Sequence, residues 1–356
     1  MKIAVVLGTR PEIIKLSPVI RELEKRNADY FIIHTGQHYS YNMDRVFFDQ
    51  LTIPAARYNL EVGSASHAEQ TAKILIRIEK ILVSEKPDVI LVQGDTNTVM
   101  AGALAAAKLN IKIGHIEAGL RSFDRTMPEE INRILTDHCS DYLFVPTNKS
   151  KALLLSEGIP LAKIFVTGNT IVDAVYQNLD IAKNHGNILN KFNLKPREYF
   201  LVTVHRQENV DVFSRFTRIL EGLQTLTTKY QLPIIYPIHP RSRKMMAEFK
   251  LKYDNLTLVD PLDYFSFLQL LSNARLILTD SGGVQEESCI LGTPCITLRD
   301  NTERPETVDV GANMLAGTVP VKILECSETM LAKRNDWKNP FGDGKTGVRI
   351  IDIILA

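Results

Sequence analysis

The chain has 356 residues, of which 45% are apolar and 23% charged, with a formal net charge of +1. That length predicts two domains of about 170 residues, each large enough to bury its own core. The near-zero charge excludes a generic nucleic-acid or membrane-surface binder, which needs a large basic excess, and no apolar run reaches the length of a membrane-spanning helix.

In chain order, residues 2–7 form a short apolar run that breaks at once into Gly8-Thr9-Arg10-Pro11-Glu12. This reads as a buried first strand rather than a secretory signal, so a cytoplasmic protein is expected. Residues 11–25 carry helical periodicity and residues 30–34 a strand pattern. Residues 66–84 are helical, with Ser66 and Glu69 in capping-box spacing. Strands follow at 89–92, 111–116, 142–145 and 164–166, with helices at 98–109, 129–138 and 150–157 between them. After a polar stretch near 183–197 the pattern restarts. Strands at 199–204, 233–237, 256–259, 276–278 and 295–297 alternate with helices at 213–230, 241–251, 264–272 and 285–291. This alternation predicts two parallel sheets, each covered on both faces. Ligands of such sheets sit beyond the carboxyl ends of the strands. The cysteines are Cys139, Cys289, Cys295 and Cys326, with no C-x-x-C pair, and they read as free thiols rather than a zinc site or disulfides.

The residues that follow each strand are the candidates for chemistry. After 2–7, Arg10 and Lys15 can reach a phosphate near a helix N-terminus, or are surface cations of an ordinary turn. The turn is not G-x-G-x-x-G. After 89–92, Asp95 is an acid at a strand mouth or a helix N-cap. Glu117 repeats that placement one strand along, beside the small residues Ala118 and Gly119. Pro128-Glu129-Glu130-x-Asn132-Arg133 adds a third acid, although one of these glutamates can pair with Arg133 along a helix. Three acids on adjacent loops form a candidate acid–base set. In the second half, His205 and His239 each leave a strand at its carboxyl end, whereas His34, His67 and His185 read as structural. Thr279-Asp280-Ser281-Gly282-Gly283 runs from strand into helix, and its backbone N–H groups suit an anion. Glu286 and Glu287 follow; such an acid ordinarily accepts from a ribose hydroxyl. Arg304 can contact a ligand through charge-assisted bonds.

Taken in order, Gly8-Thr9-Arg10-Pro11-Glu12, Gly94-Asp95-Thr96, His115-Ile116-Glu117-Ala118-Gly119-Leu120-Arg121, Pro128-Glu129-Glu130-x-Asn132-Arg133, Gly168-Asn169-Thr170, His205-Arg206, Thr279-Asp280-Ser281-Gly282-Gly283-x-Gln285-Glu286-Glu287 and Thr302-Glu303-Arg304-Pro305-Glu306 resemble the UDP-N-acetylglucosamine 2-epimerases of the non-hydrolysing type. The resemblance runs from end to end of the chain.

It implies an α/β chain of the GT-B fold, with two Rossmann-like doubly wound domains facing a central cleft. The expected division is residues 1–168, carrying the catalytic acids, and residues 169–335, binding UDP, with a C-terminal helix in 336–356 that packs back on the first domain. The implied reaction interconverts UDP-N-acetylglucosamine and UDP-N-acetylmannosamine by anti elimination of UDP to a 2-acetamidoglucal and re-addition, without a cofactor or metal. A hydrolysing epimerase, a GT-B glycosyltransferase and a non-catalytic nucleotide-sugar sensor remain the alternatives. Carried over residue by residue, the catalytic set is Asp95, Glu117, Glu129 and His205. The substrate-binding set is Arg10, Lys15, Asp95, Glu117, His205, Phe267, Ser281, Gly282, Gly283, Glu287 and Arg304. Gln37, His38 and His239 fit an activator site, but Ser40 stands where another glutamine is expected and Leu262 where bacterial members often have glutamine. A homodimer is implied, with no nucleic-acid or membrane partner.

Overall fold

The structure, a computed structural model, describes residues 1–36, 47–183, 186–251, 253 and 255–356. The described residues form two compact units. One comprises residues 1–174 and 341–356, and the other residues 175–340. The sequence reading put the divisions at 168 and 335. The two units divide a few residues later, at 174, inside helix Thr170–Ala182, and at 340.

The first unit is built on a parallel sheet of order β3-β2-β1-β4-β5-β6-β7. Its strands are β1 (Lys2–Leu7), β2 (Asp29–His34), β3 (Tyr58–Asn59), β4 (Val89–Gln93), β5 (Lys112–Ile116), β6 (Tyr142–Val145) and β7 (Ile164–Val166). Residues 3–7 and 89–93 are buried along their whole length. Such continuous apolar runs, rather than alternation, mark strands covered on both faces. The terminal segment is stitched in by backbone contacts. Asn169 N–H donates to the Phe341 carbonyl at 2.8 Å, and Gly347 N–H donates to Asp173 Oδ1 at 2.9 Å.

The second unit repeats the plan with the order β10-β9-β8-β11-β12-β13. Here the strands are β8 (Phe200–Thr203), β9 (Ile234–Pro237), β10 (Leu256–Val259), β11 (Leu276–Thr279), β12 (Cys295–Thr297) and β13 (Asn313–Leu315). Phe200, Val202, Ile234, Leu276 and Leu278 pack with the inner face of helix Phe213–Tyr230 in one apolar cluster. Each sheet reverses its winding once, between β1 and β4 in the first and between β8 and β11 in the second. At such a switch point adjacent loops diverge to opposite faces and leave room for a ligand. The turns after β1 (Gly8), β4 (Gly94) and β11 (Gly282 and Gly283) lie at these switch points, whereas the Gly119 turn after β5 does not.

Two expectations needed correction in detail. Ser66 caps helix His67–Glu85 through Glu69 N–H, but the Glu69 carboxylate pairs with Lys73 at 2.6 Å rather than closing a capping box. The helix expected from residue 285 begins at Gly282. Glycine is a poor helix former, so a periodicity reading starts the helix one turn late. All four cysteines are free, and burial pushes the Cys289 and Cys295 thiols up to about 12. Among the described residues no helix is long and apolar enough to cross a membrane.

Candidate active site

In the first unit, the loops after β1, β4 and β5 converge on two carboxylates. Glu117 follows β5 in the left-handed region, with φ of 71°, and is 5% exposed. A non-glycine residue there is strained and persists only where its surroundings hold it. Backbone and side chain both do so. Glu117 and Ala118 N–H groups both donate to the Phe144 carbonyl at 3.1 Å. Glu117 Oε2 accepts from Lys15 Nζ at 2.6 Å and from Gln93 Nε2 at 2.5 Å. Asp95 lies in the turn after β4. Its Oδ2 is 3.6 Å from the Arg133 guanidinium, and its side chain is 36% exposed.

Behind these acids stands a buried network. His115 Nδ1 meets Asp137 Oδ1 at 2.7 Å, and His115 Nε2 meets the Gly94 carbonyl at 2.9 Å. Asp137 Oδ2 also pairs with Arg121 at 2.7 Å, and Arg121 makes a two-pronged contact to Glu157 at 2.7 and 2.6 Å. Burial would raise the Asp137 carboxyl, but His115 and Arg121 together hold it below its ordinary value.

Glu12 is 2% exposed, and its Oε2 accepts from Gly8 N–H at 2.6 Å and Thr9 N–H at 2.9 Å. The Thr96 hydroxyl donates to Glu12 Oε1. Burial pushes this carboxyl up to about 7, against the lowering effect of the Thr96, Gly8 and Thr9 donors. In the unfolded chain the same group ionises near 4.5. Glu12 therefore stabilises the fold most below pH 4.5, and that contribution is lost as pH rises through about 7. The loss amounts to about 3 kcal/mol. Glu12→Gln is isosteric and cannot ionise. Thermal unfolding of Glu12→Gln should lack this component, so its melting temperature gains on wild type as pH rises from 5 to 8. A constant difference across that range would show that Glu12 is not the group responsible.

In the second unit, Asp280 is fully buried between the loops after β8 and β11. Its carboxylate accepts from the N–H groups of His205 and Arg206, each at 3.0 Å, and from Asn209 Nδ2 at 3.2 Å. It also lies 3.1 Å from His205 Nδ1. Burial alone would raise this carboxyl, but the His205 hydrogen bond and charge, with Arg206 and Asn209, hold it below its ordinary value. The imidazole is thereby fixed at the rim, with its side chain 41% exposed. The His239 ring lies beside it, tilted by 44°, with ring centroids 5.6 Å apart. Burial, His205 and Arg241 lower the His239 pKa.

The helix Gly282–Ile290 presents its N-terminus beside this pair. Of its two leading glycines, Gly282 is tightly packed and Gly283 is not. A Cβ on Gly282 would sit 2.7 Å from Glu303 Oε1. Glu303 is locked by Arg206 at 2.8 Å and Arg299 at 2.6 Å, which overcome its burial and hold it at about 2. A cavity of about 240 Å³ opens between the ends of β8, β9 and β11, lined among others by His205, His239, Leu262, Phe267 and Ser281. It offers apolar walls for a flat ring and, at Ser281, the start of a helix whose free N–H groups favour an anion.

A profile of the family described as UDP-N-acetylglucosamine 2-epimerase matches residues 21–355. The UDP-N-acetylglucosamine 2-epimerase of Methanocaldococcus jannaschii is 59% identical over 362 residues, covering 99% of each chain. The chain belongs to the UDP-N-acetylglucosamine 2-epimerase family. A crystal structure of the M. jannaschii UDP-GlcNAc 2-epimerase in complex with UDP-GlcNAc and UDP superimposes with a TM-score of 0.91 at 58% identity, covering 100% of this chain and 99% of that one. A more distant relative, the UDP-2,3-diacetamido-2,3-dideoxy-D-glucuronate 2-epimerase of Pseudomonas aeruginosa, is 40% identical and covers 99% of each chain. The architecture is of the GT-B type.

The residues carried over from the 2-epimerase resemblance fall in two groups. Beyond the strand ends of the first unit, Lys15 pairs with Glu117 and Arg133 lies near Asp95, while Arg10 sits over the Phe47 ring at 5.7 Å. Glu129 is exposed in the first turn of helix Pro128–Cys139. Its neighbour Glu130 is the glutamate that meets Arg133, at 3.3 Å, and it also accepts from the Ser122 and Phe123 N–H groups. His205, His239, Phe267, Ser281, Gly282 and Gly283 lie around the second-unit cavity or at its helix start. Glu287 accepts from the Tyr264 hydroxyl at 3.0 Å, and Arg304 pairs with buried Glu286 at 2.9 Å. Gln37 and His38 lie outside the described residues. Glu12, Asp137 and Glu303 were not singled out from the sequence. Only Glu12 carried a local signal, the Thr9-x-x-Glu12 spacing of a capping box.

Proposed function

We propose that the chain interconverts UDP-N-acetylglucosamine and UDP-N-acetylmannosamine by elimination and re-addition of UDP. The observation that carries this reading is the pair Asp95 and Glu117. Two carboxylates stand at the ends of neighbouring strands β4 and β5, one partly exposed and one held by Lys15 and Gln93. Inversion at C2 needs one group to take the proton from one face and another to return it to the opposite face, so paired acids suit it. The name of the M. jannaschii relative, and the UDP-GlcNAc and UDP bound in the M. jannaschii crystal structure, support the substrate.

The C2 proton is only weakly acidic, so the C1–O bond to UDP must break early, with positive charge developing at C1. The leaving diphosphate gains negative charge as this happens. Cations and helix N–H groups preorganised around it stabilise the transition state, usually the largest catalytic term. His205, fixed by Asp280, and residues 281–283 are assigned that task in the second unit, with Phe267 and its neighbours taking the base. Loss of the C2 proton completes the 2-acetamidoglucal. UDP is kept while the proton returns to the other face, and its oxygen then re-forms the bond to C1. Asp95, Glu117 and Glu129 are assigned to the proton transfers.

Incubation with UDP-N-acetylglucosamine in heavy water, followed by NMR, tests this. The expected result is deuterium at C2 in both intact nucleotide sugars at equilibrium. Free UDP accumulating in step with N-acetylmannosamine would instead establish a hydrolysing enzyme. Absence of any turnover would favour a transferase lacking its acceptor, or a sensor.

A further inference from the structure

The turn Gly94-Asp95-Thr96 is fixed at three consecutive residues by three side chains from different elements. His115, on β5, is fully buried, and its Nε2 meets the Gly94 carbonyl at 2.9 Å. Asn132, on helix Pro128–Cys139, donates from Nδ2 to the Asp95 carbonyl at 2.9 Å. Glu12, on helix Arg10–Lys25, accepts from the Thr96 hydroxyl. Each of these three side chains is less than a tenth exposed. Gly94 itself has φ of 87°, and its N–H donates to the Ile116 carbonyl at 3.1 Å. The Asp95 side chain, 36% exposed, projects from a half-buried turn that is held from behind.

The anchors are themselves braced. Asp137 fixes the His115 ring from its other nitrogen. The second oxygen of Glu12 holds the Gly8 and Thr9 N–H groups, which tie the turn after β4 to the turn after β1 across the sheet's switch point. Asn132 also donates to Asn97 Oδ1 at 3.3 Å, at the start of the helix that follows the turn. Stability alone does not require this arrangement, since a surface turn of three residues is ordinarily solvated. Buried polar groups that converge on one short backbone segment specify its position.

We propose that Glu12, His115 and Asn132 are positioning residues that hold Asp95 at the geometry its proton transfer requires. The inference rests on the assignment of Asp95 under the proposed function. A displacement of about 1 Å at a reacting group can cost on the order of a hundredfold in rate, so the clamp should act on kcat and leave nucleotide binding alone. The contact between Glu12 and Thr96 is the most informative to break. Glu12→Gln keeps an oxygen for the Gly8 and Thr9 N–H groups and an NH2 group that can donate to the Thr96 hydroxyl. Glu12→Ala and Thr96→Val sever the contact, whereas Thr96→Ser retains it.

The test is steady-state kinetics with UDP-N-acetylglucosamine, the dissociation constant of UDP and a melting curve for Glu12→Ala, Glu12→Gln, Thr96→Val, Thr96→Ser and Asn132→Ala, alongside Asp95→Asn. Glu12→Ala, Thr96→Val and Asn132→Ala should lose about ten- to a hundredfold in kcat, with KM and UDP affinity changed by no more than about threefold. Glu12→Gln and Thr96→Ser should remain near wild type. Should Glu12→Ala fail to fold, Asn132→Ala reads the same turn through an independent contact and a residue suited to a helix. Folded Asn132→Ala and Thr96→Val with normal kcat would overturn the clamp, as would losses of kcat that only track the folded fraction. If Asp95→Asn is inactive while the clamp variants turn over normally, the clamp alone falls. If Asp95→Asn keeps near-normal turnover, the catalytic assignment falls and the clamp with it.

Discussion

Glu117→Gln should fold and bind UDP but turn over about a hundred- to ten-thousandfold more slowly, the range that a positioned acid or base contributes. The substitution keeps the volume of the side chain and removes the anion that accepts from Lys15 and Gln93. The strained backbone at Glu117, anchored by two N–H bonds to the Phe144 carbonyl, is left as it was. Measured together with Asp95→Asn, it also distinguishes the two faces of the sugar. A variant that has lost only the group returning the proton on the N-acetylmannosamine face can still open UDP-N-acetylglucosamine and close it again. It should exchange the C2 proton of that substrate with solvent while forming little epimer. A variant lacking the group on the N-acetylglucosamine face should instead exchange only UDP-N-acetylmannosamine. If both substitutions leave kcat within a few fold of wild type, these carboxylates do not carry the chemistry.

Asp280→Ala should be the most damaging change in the second unit. The carboxylate is fully buried and receives the N–H groups of His205 and Arg206 together with Asn209 Nδ2. Removing it leaves several buried donors unmatched and a cavity between the β8 and β11 loops. Breaking a buried charged network in this way costs about 3–5 kcal/mol. Chemical denaturation should register that loss, and any folded fraction should bind UDP weakly because His205 has lost its orienting partner. A variant of unchanged stability with wild-type UDP affinity would remove Asp280 from both roles.

The alternation of short apolar runs with amphipathic ones exposed both sheets because nearly every core strand is a continuous apolar run at a spacing that only strand–helix–strand connections provide. Residues just beyond those runs were therefore legible as candidates, and Asp95, Glu117, His205 and residues 281–283 were found in this way. The supporting groups were not. Asp137 reaches His115 across 22 residues, and Glu303 meets Arg206 across 97; no local pattern carries such pairings. Glu130 and Glu129 are adjacent in sequence, and only the helix geometry decides that Glu130 turns inward to the Ser122 and Phe123 N–H groups. The strand β13 (Asn313–Leu315) is no shorter than Ile164–Val166 or Cys295–Thr297, but its sequence Asn-Met-Leu lacks the β-branched and aromatic residues that mark a strand. The terminal segment 341–356 joins the first unit through contacts such as Gly347 to Asp173, 174 residues apart. Periodicity along the chain is blind to a return of that length.

In the proposed reaction the bond between C1 and UDP breaks and re-forms while UDP stays bound. Substrate carrying oxygen-18 in the bridge between C1 and the β-phosphorus tests it directly, read by the isotope shift in phosphorus NMR. Once that bond opens, rotation of the bound β-phosphate makes its terminal oxygens interchangeable. The label should migrate from the bridge to non-bridging positions of the β-phosphate in step with epimerisation, without loss of UDP to solvent. Inversion at C2 with the label still in the bridge would contradict it.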